Sequence, residues 1–302
     1  MKVLNALRVS SGYPGIATTG GGASLEMKGN LMSGYFFESV LNSFGLETGK
    51  LRPLLSQAKI RSYEAGDTLA KRGASSPSLI FIVSGLVLAT VEEARDLNAI
   101  SPVMAYGEGM WIGAVNAISN KKTDFSYLAA GDVSTIELPH ALINSMLDLS
   151  PSLHGFLVSQ CIEEAGRYTQ TLIPMKAACS AYRVICGLAM LAETFEYGRQ
   201  WQRRSKMLHW EASQGVNITL PQCTLAALCG VSRSVLSPTL RPFKEHGWLE
   251  VEYSRTRICR PEAWALLAQS MREHTRDPDA VSAQWACDEL DHMESPHQLA
   301  AA

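Results

Sequence analysis

Residues 220 to 249 read Leu220-Pro221-Gln222-Cys223-Thr224-Leu225-Ala226-Ala227-Leu228-Cys229-Gly230-Val231-Ser232-Arg233-Ser234-Val235-Leu236-Ser237-Pro238-Thr239-Leu240-Arg241-Pro242-Phe243-Lys244-Glu245-His246-Gly247-Trp248-Leu249. Leu225, Leu228 and Val231 recur at the three-residue step of one buried helical face. Ala226 and Ala227 leave room for a neighbouring helix to approach. Gly230 stops this first helix, since a residue just past a C-terminus often needs positive φ and glycine adopts it without a Cβ clash. Ser232 is placed to cap a second helix carrying Val235, Leu236, Leu240 and Phe243. Two short helices around a glycine turn form the helix-turn-helix that sets its second helix in the DNA major groove. An ordinary helical hairpin in a core has the same local pattern. The residues after the second helix separate the two: Gly247 ends that helix, 248–253 alternates like a strand, 254–256 turns and 257–260 returns, which makes a winged helix.

Working outward, 302 residues exceed one typical core and predict two domains. With 46% apolar and 19% charged residues the chain is globular rather than disordered. The net charge of -2 hides an uneven distribution. Residues 175–260 hold twelve Lys or Arg against six Glu, whereas 261–302 hold two Arg against eight acidic residues. A basic segment coinciding with the helix-turn-helix is the footprint expected for phosphate binding.

No run of about 18 apolar residues offers a membrane span. The first thirty residues, with Thr18, Thr19 and Gly20 to Gly22, read as a mobile tail rather than a signal peptide. The seven cysteines are dispersed without a CxxC pair, as expected for small buried residues in a reducing cytoplasm. Leu31 to Leu55 is predicted helical, with Phe36, Val40 and Phe44 at a four-residue step. From Ala58 to Leu138 short β-type runs alternate with glycine turns, as in Leu79 to Val83 and Leu86 to Val91 around Ser84-Gly85, implying a jelly roll or barrel. Helix resumes after Pro139. Pro151 suits a first helical position, and Val158, Cys161, Ala165, Tyr168 and Leu172 form a 3,4,3,4 stripe. That stripe fits either a coiled-coil seam with a second copy or one molecule's core face, and paired DNA half-sites favour the seam.

The order β-roll, long helix, winged helix-turn-helix resembles the Crp/Fnr (catabolite activator and fumarate-nitrate regulator) family of bacterial transcription regulators. The resemblance runs from Leu51 to Ala268. It is carried by Leu225-Ala226-x-Leu228-x-Gly230-Val231-Ser232-Arg233, by Gly66, Gly73, Gly85, Gly109 and Gly113 at the turns of the roll, and by Ala129 and Asp132. It implies an α+β chain: a mobile tail (1–30), a cyclic-nucleotide-binding-like sensory domain (31–150), a dimerisation helix (151–174), a winged helix-turn-helix domain (175–268) and an acidic extension (269–302). The implied protein is a cytoplasmic, homodimeric, DNA-binding transcription regulator without catalytic residues, cofactor or metal. Its implied partners are double-stranded DNA, a small-molecule effector of unknown identity and, for an activator, RNA polymerase.

Departures from the family pattern carry mechanistic information. Members that bind cyclic AMP have a Gly-Glu pair in the phosphate-binding segment and an Arg nine residues after the Glu. Here Gly113-Ala114 occupies the first position and Thr123, followed by Asp124, the second. Losing that Arg removes a charge-assisted contact of about 1.5–3 kcal/mol, and Asp124 adds repulsion toward an anion. Lys121 and Lys122 lack the bidentate fork. Cyclic AMP is therefore not expected to act as effector, and Trp111, Ile112 and Phe125 read mainly as core around the pocket.

In the second helix Arg233 stands where the family places a guanine-reading or phosphate-binding Arg. Ser234 replaces an acidic reader, and Pro238 takes the place of a second DNA-contacting Arg. Interior prolines at 238 and 242 predict a kinked or shortened helix, each costing about 3 kcal/mol. Its N-terminal Ser232, Arg233, Ser234 and Ser237, with Thr239, would still face DNA, while Arg241, Lys244, Arg255 and Arg257 would contact phosphate.

Between Arg199 and Asn217 a basic aromatic stretch fits contact with DNA backbone or packing on the winged domain; Trp201 and Trp210 are expected to pack, with Arg203, Arg204 and Lys206 exposed. Cys287 with His274, Asp288, Asp291, His292 and His297 is spaced too irregularly for a metal site, so the C-terminal segment reads as a solvated extension. One other reading is a sensory module acting through protein contacts, its DNA-binding domain impaired by the prolines. An enzyme finds no support, there being no nucleophile elbow, P-loop or Rossmann glycine pattern.

Overall fold

The computed structural model describes residues 38 to 293, apart from 39, 43–45, 47, 50, 52–54, 56, 76–77, 93–95, 120, 206–214, 253–254 and 275–276. The expected tail over 1–30, and Phe36, Phe44, Lys206, Trp210 and His297, lie outside the described residues, as do the side chains of Arg203, Arg204 and His274.

Among the described residues eight strands build the N-terminal roll: β1 (Lys59–Tyr63), β2 (Thr68–Ala70), β3 (Ser78–Ser84), β4 (Val87–Thr90), β5 (Pro102–Tyr106), β6 (Trp111–Ile112), β7 (Ser126–Ala129) and β8 (Val133–Pro139). They form two antiparallel four-stranded sheets, ordered β1-β8-β3-β6 and β2-β7-β4-β5. Strand β3 is nearly all apolar because both of its faces are covered. Ile80 and Ile82 point into the roll with Val87, Met104, Tyr106 and Tyr127. Leu79 and Phe81 point outward, into a cluster with Val40, Leu41, Leu51 and Leu55. That outer layer also takes Leu142 and Met146 of helix α2 (His140–Leu149) and Leu153 and Leu157 of helix α3 (Pro151–Met175). A short helix, α1 (Ala114–Ser119), links β6 to β7.

The second sheet uses the same alternation for a different neighbour. Val87 and Ala89 face the roll interior, while Leu86, Leu88, Ala105 and Leu128 join one continuous cluster with the C-terminal domain. The roll and the winged domain are therefore packed on each other.

Helix α3 begins with Pro151 at its first turn, as expected, and runs for 25 residues. After residues 176–179 helix α4 (Ser180–Ser205) returns along the roll. There Gly109, at φ 78°, carries the β5–β6 turn so close to α4 that a Cβ would sit 2.8 Å from the Cβ of Trp201. Trp201 packs edge-on to Phe81, with ring centroids 5.0 Å apart, in the outer cluster of the roll. The expectation that it packs against the winged domain is corrected by this contact.

The winged domain continues with β9 (Gly215–Ile218), α5 (Gln222–Leu228), α6 (Arg233–Glu245), β10 (Leu249–Glu252), β11 (Arg255–Cys259) and α7 (Pro261–His274). Its antiparallel sheet has the order β10-β11-β9, with Leu249 opposite Ile258 and Glu250 opposite Arg257. A 3-10 turn (Pro278–Ala280) and helix α8 (Ala283–Met293) follow.

Helix α8 overturns the solvated reading of the C-terminal segment over its described part. Ala286, Cys287 and Leu290 are fully buried in the domain core, while Asp288 lies on the helix's exposed face. The segment is tied at both ends. Asp279 accepts from the Cys179 backbone N–H at 3.0 Å, in the connection between α3 and α4. Asp291 accepts from the Trp248 indole at 2.7 Å, just past α6. Acidic composition signalled solvent exposure; the apolar stripe at 286, 287 and 290 was the contrary signal.

Candidate nucleic-acid interface

Helices α5 and α6 meet at 90° around Gly230. At φ 65° Gly230 adopts the left-handed conformation expected of it, and its N–H returns to the Ala227 carbonyl at 2.9 Å. Leu225, Ala226 and Leu228 of α5 and Leu236, Leu240 and Phe243 of α6 are buried together, and Phe243 packs on Trp264 at 5.0 Å between centroids. Helix α5 is also held to the roll, where the Thr224 hydroxyl donates to the Leu97 carbonyl.

Ser232 is extended, as a cap should be, and its carbonyl accepts from the N–H groups of Val235 and Leu236. Its hydroxyl does not cap the helix; it pairs with the Ser234 hydroxyl at 2.9 Å. Helix α6 then runs unbroken from Arg233 to Glu245 through Pro238 and Pro242, so the expected shortening does not occur. The physical reason lies in the four-residue spacing of the prolines. The two missing donors would have served the carbonyls of Ser234 and Pro238, and both of these residues are exposed to water. The buried stripe of Leu236, Leu240 and Phe243 lies on the other side and anchors the helix.

The outward side of α6 carries Arg233, Ser234, Ser237, Pro238, Arg241, Lys244 and Glu245, all exposed. The Thr239 hydroxyl is turned back onto the Val235 carbonyl at 2.9 Å. Among the described residues Arg233 and Lys244 meet no acidic partner, and neither does Arg255 of the wing. Arg241 is paired with Glu245 at 2.8 Å, and Arg257 with Glu250 at 3.1 Å. The expected phosphate-contacting set thus divides into open and paired cations.

At the other expected site, Trp111, Gly113, Ala114 and Thr123 are buried and Asp124 is exposed. The Thr123 hydroxyl is used within the fold, donating to the Lys71 carbonyl at 2.5 Å. Toward α3 the roll is filled by its own side chains. The Tyr106 hydroxyl donates to the buried Glu164 carboxylate at 2.6 Å, and Tyr168 donates to the same oxygen at 3.3 Å. Phe125 stacks on Tyr168 with centroids 5.6 Å apart, and the Arg167 guanidinium lies 5.3 Å from the centre of the Tyr106 ring. Burial pushes the Tyr106 and Tyr127 hydroxyls well above their ordinary range, so both remain protonated donors. Composition held no sign of Glu164; only its spacing from Arg167 and Tyr168 on one helix side did.

Helix α3 corrects the expected seam. Val158, Ala165 and Leu172 are exposed, but Cys161 and Tyr168 turn toward the roll. The open apolar stripe is Val158, Ile162, Ala165 and Leu172, with Thr169 completing a 4,3,4,3 spacing, and Ile162 is 67% exposed. All seven cysteines are free thiols, and burial raises those of Cys186 and Cys229 to about 12. Among the described residues no group of three His, Cys, Asp or Glu is arranged to hold a metal, and no single helix is long and apolar enough to cross a membrane.

Residues 191–265 match the Crp-like helix-turn-helix domain family. Among solved structures the chain is similar to the c-di-GMP responsive global regulator CLP of Xanthomonas campestris, with a TM-score of 0.51 and 17% identity over 70% of this chain and 99% of that one. It is also similar to FixK2 of Bradyrhizobium japonicum, with a TM-score of 0.51 and 14% identity over 67% of this chain and 92% of that one. A CRP-family transcriptional regulator of Thermus thermophilus matches with a TM-score of 0.50 and 16% identity over 70% and 97% of the two chains. No curated protein matches the sequence. The class is thereby defined as a Crp/Fnr-type regulator fold, a cyclic-nucleotide-binding-like roll followed by a DNA-binding-type winged domain.

Proposed function

We propose that the protein is a cytoplasmic, homodimeric transcription regulator that binds specific double-stranded DNA through α6 and the wing. The observation that carries this reading is the exposed N-terminal half of α6, where Arg233 stands without an acidic partner among the described residues, directly after the Gly230 turn. Arg233 is the guanine-reading or phosphate-anchoring group and Ser237 is open beside it, whereas the Ser232 and Ser234 hydroxyls pair with each other and that of Thr239 bonds the Val235 carbonyl. Lys244 and Arg255 are open for phosphate, while Arg241 and Arg257 must exchange Glu245 and Glu250 for phosphate on binding. Two copies would associate through Val158, Ile162, Ala165 and Leu172 of α3, placing paired reading helices over a two-fold site. An activator of this kind would also contact RNA polymerase.

Cyclic AMP does not control it in this reading. Position 114 offers no carboxylate to a ribose, Thr123 is spent on a backbone carbonyl, and tyrosines occupy the adjoining interior. The effector, if small, is therefore of another kind.

Selection of bound fragments from the organism's own genomic DNA, followed by gel shifts, tests the DNA reading. Arg233→Ala should weaken binding to the selected site by about 1–3 kcal/mol more than binding to unrelated DNA. Equal losses on both would remove the base-reading role. Failure to enrich any DNA would favour the second reading, a sensory module acting by protein contact, which the two paired arginines support. Calorimetry with cyclic AMP checks the effector statement, and micromolar binding would overturn it.

A further inference from the structure

The exposed side of α6 has an unusual chemical make-up. Six of its seven exposed residues are charged or carry a hydroxyl; Pro238 is the single apolar member. Pro238 falls within the first two turns of α6, the portion of a recognition helix whose side chains reach base edges. Its neighbours cannot substitute for it. The hydroxyls of Ser232 and Ser234 are bonded to each other and that of Thr239 to its own helix backbone. The open groups at this end are thus the Arg233 fork, the Ser237 hydroxyl and the Pro238 ring.

A pyrrolidine ring neither donates nor accepts from its side chain, so it cannot read a donor or acceptor pattern. Set against the N4 amine of cytosine or the N7 acceptor of a purine, it would strip water from a polar edge and return no hydrogen bond. One base edge in the major groove carries an apolar group, the C5-methyl of thymine. We infer that Pro238 is a specificity-determining residue that reads a thymine methyl, once in each half-site, beside the base pair contacted by Arg233. This inference rests on the DNA-binding reading given above.

The consequence is a target preference that a polar residue at position 238 would not impose. The energetic yield is that of one methyl-sized group withdrawn from water, about fourfold in affinity, the equivalent of ~0.8 kcal/mol. The proline also holds its position on α6 rigidly, so little side-chain entropy is lost on contact.

The test begins with selection from a random duplex library by the full chain, followed by measurement of affinity for the selected site with each thymine replaced in turn by uracil. Uracil lacks only the methyl and keeps every hydrogen-bonding group. Wild-type protein should lose about fourfold at one symmetric position per half-site, and Pro238→Ser should lose nothing at that position. Pro238→Ser restores a backbone N–H inside the helix, so its fold is not endangered, and circular dichroism checks this. If a site is selected but uracil costs the two proteins the same at every position, the inference is overturned while DNA binding stands. If wild-type protein selects no DNA at all, the DNA-binding reading fails and the inference falls with it.

Discussion

Trp248 donates its indole N–H to Asp291 at 2.7 Å, and the same carboxylate lies 2.9 Å from the His246 ring. Trp248 follows the C-terminal end of α6, and Asp291 is on the last helix of the described chain. This pairing fastens α6 to a segment beyond the matched family domain, which ends at residue 265. Because Trp248 is 1% exposed, removing the acceptor leaves a donor that water reaches poorly. Asp291→Ala should therefore destabilise the domain by about 1–3 kcal/mol in denaturant titration, whereas Asp288→Ala on the exposed side should change stability by less than about 0.5 kcal/mol.

The α3 stripe leads to a prediction about assembly. Ile162 is 67% exposed and Cys161 beside it faces the roll. Ile162→Asp should convert a dimer to a monomer in sedimentation experiments, with the monomer's secondary structure intact, since the side chain buries little within one copy. Cys161→Ser should leave the dimer in place.

Glu164 is 5% exposed and accepts from two tyrosine hydroxyls. Tyr106→Phe removes the shorter bond and leaves the carboxylate with the weaker one at 3.3 Å. The loss should be about 1–3 kcal/mol in chemical denaturation, because a buried acceptor is left under-satisfied. The double variant with Tyr168→Phe should cost a different amount from the sum of the single variants, since both groups share one oxygen.

His140 provides a pH signature. It is half-buried at the start of α2, its Nε2 is buried without a hydrogen-bond partner among the described residues, and desolvation lowers its pKa below the ordinary 6.5. The folded state thus binds a proton less readily than the unfolded chain. Its contribution to stability is complete above 6.5 and is lost as pH falls through the folded value. Thermal stability should fall as pH drops below 6.5, and His140→Gln should flatten that part of the profile. An NMR titration of the His140 ring should show a midpoint below 6.5.

Local chemistry made the helix-turn-helix legible in the sequence. Gly230 had to turn left-handed, Ser232 had to be extended, and the apolar steps through Leu225, Leu228, Leu236, Leu240 and Phe243 had to be buried, because each constraint acts within a few residues; Val231 and Val235, expected on the same faces, are only partly buried. The roll was legible for the same reason, its alternating strands and turn glycines being local signals. The register of the α3 stripe was not. Val158, Ala165 and Leu172 satisfy either neighbour, and only the position of the roll decided that Tyr168 faces inward and Ile162 outward.

Short-range pattern alone set the class of fold and the polar groups offered by α6, since helix period, glycine turns and the Arg233 position are written within a few residues of one another. Packing settled which of those groups are open: Arg241 and Arg257 meet Glu245 and Glu250, Thr123 meets Lys71, and the acidic C-terminal helix turns Ala286, Cys287 and Leu290 into the core. Availability depends on what packs against a residue, and for Thr123 and the C-terminal helix that neighbour lies far away in sequence. The paired arginines are the instructive exception, since Glu245 and Glu250 are near in sequence, yet it took the folded helix and the paired strands to bring each within reach.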